Sequence, residues 1–73
     1  PFEELVGRET VRAYESALER LEPLEREAVV ARIELGSSYA EVADALDKPS
    51  ADAARKAVSR ALVKLATDMA SDD

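Results

Sequence analysis

Residues 38–65 read SYAEVADALDKPSADAARKAVSRALVKL, and this stretch decides the fold. Ser38, followed three residues later by Glu41, forms the capping-box pattern that begins a helix. Pro49 disfavours helical geometry in the residue before it, so the helix ends ahead of it. Between these signals, apolar residues recur at the spacing of one helical face: Ala40, Val42, Ala43 and Leu46. The pattern predicts a short helix over about 39–46.

A longer helix is predicted after this turn. Ser50 is a candidate N-cap, and the chain continues to about Met69 without an internal glycine or proline. The stripe expected to face the core consists of Ala51, Ala54, Val58, Ala61, Leu62, Leu65 and Met69. The opposite, polar face consists of Asp52, Arg55, Lys56, Ser59, Arg60 and Lys64. We expect the apolar face of the short helix to pack on Ala54, Val58 and Leu62. A short helix, a tight turn and a long helix over about 51–69 predict a helix-turn-helix, whose second helix enters the major groove of DNA.

Two further helices are predicted upstream of this motif. The first, over about 8–21, is marked by apolar residues at helical spacing: Val11, Tyr14, Ala17, Leu18 and Leu21. Pro23 suits the first turn of the second, and Gly36 suits its end, because the left-handed conformation is cheap only for glycine. This second helix, over about 23–35, is expected to be the most buried one, because apolar residues occupy most of its circumference: Leu24, Ala28, Val29, Val30, Ala31, Ile33 and Leu35. The predicted fold is all-α, a small four-helix domain with a C-terminal helix-turn-helix and no sheet, spanning 1–73 as a single domain.

Composition argues against catalysis and against metal binding. The sequence has no cysteine and no histidine, which removes disulfides, thiolate zinc sites and imidazole bases. Glu22, Glu25 and Glu27 are the candidate cluster of carboxylate metal ligands, but their spacing scatters them around a helix. No apolar run approaches the roughly 20 residues that span a bilayer. We therefore expect a soluble domain that is not an enzyme, has no cofactor or metal and contacts no membrane.

Charge is distributed unevenly along the chain. The formal net charge is −6, which by itself argues against a nucleic-acid partner. Residues 1–47, however, hold twelve acids and five bases, whereas residues 48–66 hold five bases against Asp52 alone. Residues 48–66, which include the turn and most of the second helix of the motif, therefore carry a local excess of four positive charges in an acidic protein.

The polar face of the long helix has two interpretations. Lys56 and Arg60 lie four residues apart, so they stack one turn apart, and Arg55 and Ser59 do the same. An arginine there can read guanine through two parallel hydrogen bonds, whereas lysine and serine more often hold phosphates. Alternatively, Asp52 pairs with Lys56 and the remaining face is solvated surface. Spacing and composition alone leave both interpretations open.

Three segments of the chain resemble region 4 of the sigma-70 family, particularly its extracytoplasmic-function class. They are LEPLEREAVV over 21–30, GSSYAEVADAL over 36–46 and ARKAVSRAL over 54–62. The family pattern has a leucine-proline segment rich in Arg-Glu, a Gly-x-Ser-Tyr-x-Glu-Val-Ala-x-x-Leu helix and a Ser-Arg-Ala signature in its recognition helix. All three elements are present in the same order, over about 50 of the 73 residues.

The resemblance implies a bacterial transcription initiation domain. Such a domain binds the −35 promoter element in double-stranded DNA while an apolar surface contacts the flap of the RNA polymerase beta subunit, and it acts in the cytoplasm. The residues expected to bind DNA are Ser38, Tyr39, Lys48, Ser50, Asp52, Arg55, Lys56, Ser59, Arg60 and Lys64. For Tyr39, a ring packed over the turn is the alternative to a phosphate contact. Because the sequence starts with Pro1, we expect it to be part of a longer chain.

Two features depart from the family pattern. The step from Leu46 to Val58 is one residue longer than usual, and the turn over 47–49 lacks the usual glycine, which leaves the register of residues 50–53 on DNA open. Val63 follows Leu62 where many relatives have arginines, which predicts weak binding by the isolated domain. The alternatives are an acidic sigma-like decoy that binds an anti-sigma factor and a regulatory helix-turn-helix of the response-regulator type.

Overall fold

A computed structural model describes residues 7–70, and every regular element in this range is helical. The elements are α1 (Arg8–Arg20), α2 (Pro23–Val29), a π-helical turn that continues α2 (Val30–Glu34), α3 (Tyr39–Ala45) and α4 (Ala51–Ala70). Each predicted helix boundary lies within one residue of the observed one. The predicted all-α fold with a C-terminal helix-turn-helix is confirmed. Within the described range, no helix combines the length and the apolar character needed to cross a bilayer.

The start of α3 is closed by the predicted capping box. The Glu41 backbone N–H donates to Ser38 Oγ at 3.1 Å, and the Ser38 backbone N–H donates to Glu41 Oε1 at 2.7 Å. Two donors that the first helical turn leaves without partners are satisfied in this way. The helix therefore begins where its local sequence dictates, at the edge of the helix-turn-helix.

The turn between α3 and α4 contains a left-handed residue although it has no glycine. Asp47 adopts the left-handed conformation, with φ at 56°. The Lys48 N–H then donates to the Ala43 carbonyl at 2.7 Å, and the Asp47 N–H donates to the Asp44 carbonyl at 3.3 Å. This is the Schellman arrangement of a helix C-terminus, with aspartate in the position usually taken by glycine. The longer turn is accommodated as an ordered cap.

Ser50 caps the start of α4, as predicted. Its Oγ accepts the Ala53 N–H at 3.1 Å, and its carbonyl accepts the Ala54 N–H at 3.1 Å. Residues 50–53 therefore form the cap and first turn of α4, so the extra turn residue precedes the helix and does not distort it.

The core is formed by two clusters that meet along α4. The first joins α2, α3 and α4 and contains Ala28, Ala31, Val42, Ala43, Leu46, Ala54 and Val58. The second joins α1, α2 and α4 and contains Ala17, Leu18, Leu21, Val29, Ala61 and Leu65. Half-buried Leu62 packs against both clusters. The predicted packing of α3 on α4 is confirmed, except that Ala40 and Ala51 are exposed.

An arginine of α2 ties α1 to α2. Arg26 donates through Nε to the Leu18 carbonyl at 3.0 Å and through Nη2 to the Glu19 and Leu21 carbonyls, both at 3.2 Å. The last carbonyls of a helix have no partner within it, so a guanidinium can satisfy several of them at once. This contact fixes the corner between the two helices.

The prediction that the second helix is the most buried one is wrong. Leu24, Ile33 and Leu35 are 59%, 52% and 73% exposed, although Ala28, Val29 and Ala31 are buried. The segment packs on its neighbours with one face only, and no described element covers the other. Apolar residues around a whole helix indicate burial only when every side has a partner, and here part of the apolar surface remains open.

Candidate nucleic-acid interface

The exposed face of α4 presents a row of polar side chains away from the core. Ala54, Val58 and Ala61 are at most 1% exposed. Between them along the helix lie exposed residues: Arg55, Lys56, Ser59 and Arg60. The 3.6-residue period separates these two sets, so one helix presents an apolar face to α3 and a donor-rich face to solvent.

Asp52 lies at the start of this face and contacts two of its cations. Arg55 donates to Asp52 Oδ1 through Nη2 at 2.8 Å and through Nε at 3.2 Å. Lys56 Nζ lies 3.5 Å from the other oxygen, Oδ2. The hydrogen bond and charge of Arg55 hold the pKa of Asp52 below its usual value, and Asp52 in turn raises the pKa of Arg55. The pairing of Asp52 with Lys56 that spacing suggested is present, and Arg55 shares the same carboxylate.

Arg60 and Lys48 are the exposed cations of the motif without an intramolecular partner in residues 7–70. Neither side chain makes a hydrogen bond or an ion pair within that range. Arg60 lies on the second turn beyond Asp52, and Lys48 lies in the turn before α4. Both can therefore meet an external anion without first breaking an internal contact.

Lys64 is engaged differently from the other cations of α4. Its Nζ lies 2.8 Å from Glu25 Oε2, and this hydrogen bond raises the pKa of Lys64 and lowers that of Glu25. Glu25 Oε1 accepts the Glu22 N–H at 3.0 Å, which closes the start of α2. Lys64 thus links α4 to the start of α2. Because the two residues are 39 positions apart, no local pattern signals this contact.

At the start of α3, Arg32 lies beside Tyr39, one of the residues expected to contact DNA. Tyr39 is half-buried against the first core cluster, and the Arg32 guanidinium lies 4.1 Å from the centre of its ring. Arg32 Nη1 also donates to the Ser37 carbonyl at 2.9 Å. The ring therefore packs between the first core cluster and the Arg32 guanidinium. Sequence reasoning missed Arg32, because only the left-handed Gly36, with φ at 68°, turns the chain back and brings it over Tyr39.

A second kind of surface lies away from the donor-rich face. A groove between α1 and the π-helical turn is lined by Val11, Tyr14, Glu15, Leu18, Ile33 and Glu34. Tyr14 Oη donates to Glu34 Oε2 at 2.9 Å, and burial together with Glu34 raises the pKa of Tyr14 to about 12. Val63, on α4, is 65% exposed.

Acidic side chains do not gather into a metal centre in the described part of the chain. Among residues 7–70, no group of three or more such side chains is placed to hold a metal ion. Glu25, one of the three carboxylates considered for this role, is committed to the Glu22 N–H and to Lys64.

Comparison with known proteins gives one match. The family described as Sigma-70, region 4 matches residues 11–65, a range that contains most of α1 and all of α2, α3 and the turn, and that ends within α4 at Leu65. No curated protein and no solved structure matches the chain. The matched range includes all of α3, α4 as far as Leu65 and every expected contact residue. The chain therefore belongs to the sigma-70 region 4 family, a family of helix-turn-helix DNA-binding domains from transcription sigma factors.

Proposed function

We propose that this chain binds the −35 element of promoter DNA as part of the RNA polymerase holoenzyme, with α4 in the major groove. The observation that carries the proposal is the exposed face of α4, where Arg55, Lys56 and Arg60 project from the helix that follows the turn. A helix of this kind fits the major groove, and arginine is the side chain best suited to reading guanine there. The family supports DNA as the partner.

The contact residues divide by chemistry into two groups. Arg55 and Arg60 present guanidinium groups that suit base edges, with Ser59 between them and Asp52 and Ser50 at the start of the helix. The remaining candidates suit phosphates: Ser38, Tyr39, Lys48, Lys56 and Lys64. Phosphate contacts set the position of a helix on the duplex, whereas base contacts select the sequence.

Lys64 contributes less to this surface than its charge suggests. Its ion pair with Glu25 must open, or be shared, before Lys64 meets a phosphate. Since Leu62 and Val63 stand where many relatives are expected to carry arginines, fewer phosphates are neutralised here. We expect a shallow dependence of binding on salt, equivalent to about two to four phosphates.

The polymerase contact is assigned to the open apolar residues at the end of the π-helical turn. Ile33, in that turn, and Leu35, directly after it, are more than half exposed and lie outside α4. Ile33 also lines the groove with Val11 and Leu18 of α1, and contiguous apolar side chains that remain accessible mark a protein-binding surface. We assign the beta-subunit flap to this surface, which leaves α4 available for DNA.

The test is a comparison of two variants that remove the same charge. A duplex is selected from a random library with the wild-type chain, and binding to it and to a scrambled duplex is titrated at several salt concentrations. Arg55→Ala with Arg60→Ala is expected to weaken binding to the selected duplex by about 100-fold, since each arginine contributes base discrimination. Arg8→Ala with Arg12→Ala, on exposed positions of α1, serves as the control and is expected to cost less than about threefold, because screening limits distant charges. Equal losses in the two variants would show that α4 is not the reading helix.

A sigma-like decoy that binds an anti-sigma factor is the second candidate. The observation in its favour is that Arg55, Lys56 and Lys64 each contact a carboxylate of the chain itself, in a protein with a net charge of −6. A decoy retards no duplex in a sequence-dependent manner even at low salt. Selection that yields no enriched sequence therefore favours the decoy over promoter binding.

A further inference from the structure

Asp52 lies in the first turn of α4, where a negative charge suits the helix N-terminus, but it also lies on the face proposed to approach DNA. It is the only acid in residues 48–66, and it lies on the same face as Arg55 and Lys56. A carboxylate on a surface that approaches DNA repels phosphate and lowers affinity for every sequence. Its side chain is 62% exposed, so neither packing nor burial accounts for its presence.

The two carboxylate oxygens of Asp52 contact different cations. Oδ1 accepts both Nε–H and one Nη2–H of Arg55, at 3.2 and 2.8 Å. Oδ2 faces Lys56 Nζ at 3.5 Å. The contact with Arg55 therefore involves two donors of one planar group and fixes its orientation, whereas the contact with Lys56 is a single, longer ion pair.

Fixing one edge of Arg55 leaves its other donors available. A guanidinium has five N–H donors in a rigid plane, of which Asp52 takes two. The remaining donors, on Nη1 and Nη2, include the pair that can bond guanine O6 and N7 in parallel. A flexible arginine loses conformational entropy when it makes such a contact, and one held in advance loses less.

We propose that Asp52 is a positioning residue for sequence selection: it holds Arg55 in the orientation that reads a base pair and restrains Lys56, so that affinity for DNA of any sequence is lowered while discrimination between sequences is raised. This inference rests on the proposed function, since it concerns how α4 reads DNA. The exposed ion pairs themselves contribute little to folding stability, and the favourable charge of Asp52 at the helix N-terminus does not depend on Arg55, so the orientation of Arg55 is a separate effect.

Simple repulsion of phosphate by Asp52 is the competing explanation. Positioning and repulsion predict different ratios of the affinity for the selected duplex to the affinity for the scrambled duplex. If Asp52 only repels phosphates, its removal strengthens binding to selected and scrambled duplexes by the same factor. If it positions Arg55, its removal strengthens binding to the scrambled duplex but lowers the ratio of the two affinities. The ratio of affinities therefore separates positioning from repulsion.

Three variants of the full chain separate these effects. Asp52→Ala releases both cations and is expected to raise affinity for the scrambled duplex about threefold while lowering the selected-to-scrambled ratio about tenfold. Asp52→Asn removes the same charge but keeps an oxygen that can accept from Arg55, so the ratio is expected to fall less than about threefold. Glu19→Gln removes one exposed carboxylate from α1 and is expected to change neither quantity beyond about twofold.

Two further measurements complete the test. In the Arg55→Ala background, Asp52→Ala is expected to leave the ratio unchanged, because there is no longer a guanidinium to position. In the free protein, the Arg55 Nε–H resonance is expected to exchange with water faster after Asp52→Ala than in the wild type. An unchanged ratio for Asp52→Ala in a wild type that does select sequences overturns the positioning role alone. A wild type that selects no sequence overturns the proposed function and this inference together.

Discussion

The turn between α3 and α4 offers a sensitive test of the structure through Asp47→Gly. Asp47 has φ at 56°, in the left-handed region that costs a residue with a Cβ about 1–2 kcal/mol. Glycine removes that cost but loses about 0.5–1 kcal/mol more backbone entropy on folding. The difference predicts a gain in the free energy of unfolding of about 0.5–1 kcal/mol. For a domain of this size, such a gain raises Tm by about 3–6 °C.

Charge must be separated from backbone strain in this experiment. Asp47 lies at the carbonyl end of α3, where a negative charge is unfavourable, so any neutral replacement gains a little stability. Asp47→Asn removes the charge and keeps a side chain, so the difference between the glycine and asparagine variants isolates the backbone term. Asp44→Gly, three residues earlier and within α3, is the matched control and is expected to lower stability, because glycine is a poor helix former.

Thermal and urea denaturation followed by circular dichroism measure these differences. The expected order of stability is Asp47→Gly above Asp47→Asn, and both above the wild type, with Asp44→Gly below it. If Asp47→Gly is no more stable than Asp47→Asn, the left-handed Asp47 and the Schellman turn built on it are wrong. A gain from Asp44→Gly equal to that from Asp47→Gly would likewise remove the conformational explanation.

Two further predictions concern the cap of α3. Ser38→Ala is expected to cost about 1 kcal/mol in urea denaturation, because Ser38 Oγ accepts the Glu41 N–H, whereas Ser37→Ala, whose hydroxyl has no capping contact, is expected to cost much less. The Ser38 backbone N–H, followed by its hydroxyl, lowers the pKa of Glu41 below the 4.5 of a free side chain. The folded pKa is thus below the unfolded one, so the contribution of Glu41 is present above pH 4.5 and is lost as the pH falls through its folded pKa. Glu41→Gln is therefore expected to reduce the stability lost between pH 7 and pH 3, and an unchanged loss would contradict the cap contact.

Local sequence determined the helices and their ends. The residues that start and end the helices act on backbone groups within a few positions of themselves, so their effect can be predicted without a tertiary structure. They are Ser38 with Glu41, Ser50, Pro23 and Gly36. The apolar stripe of α4 was equally legible, because the helical period alone places Ala54, Val58, Ala61 and Leu65 on one face. The same reasoning placed the cations on the opposite face, and the family followed from three ordered segments.

Contacts between distant positions were decided only when the helices packed. Lys64 was grouped with the DNA-facing cations, but the approach of α2 to α4 brings Glu25 within 2.8 Å of it. Arg32 reaches Tyr39 only because the chain reverses at Gly36. The apolar residues of α2 also did not indicate which side of the helix would be covered. Hydrophobic periodicity shows which residues share a face of one helix, but it does not show which other helices pack against that face. The sequence by itself therefore determined the helices, their caps and the cationic face of α4. The tertiary structure decided which charges are already paired and which apolar residues stay open, because both depend on segments that meet only after folding.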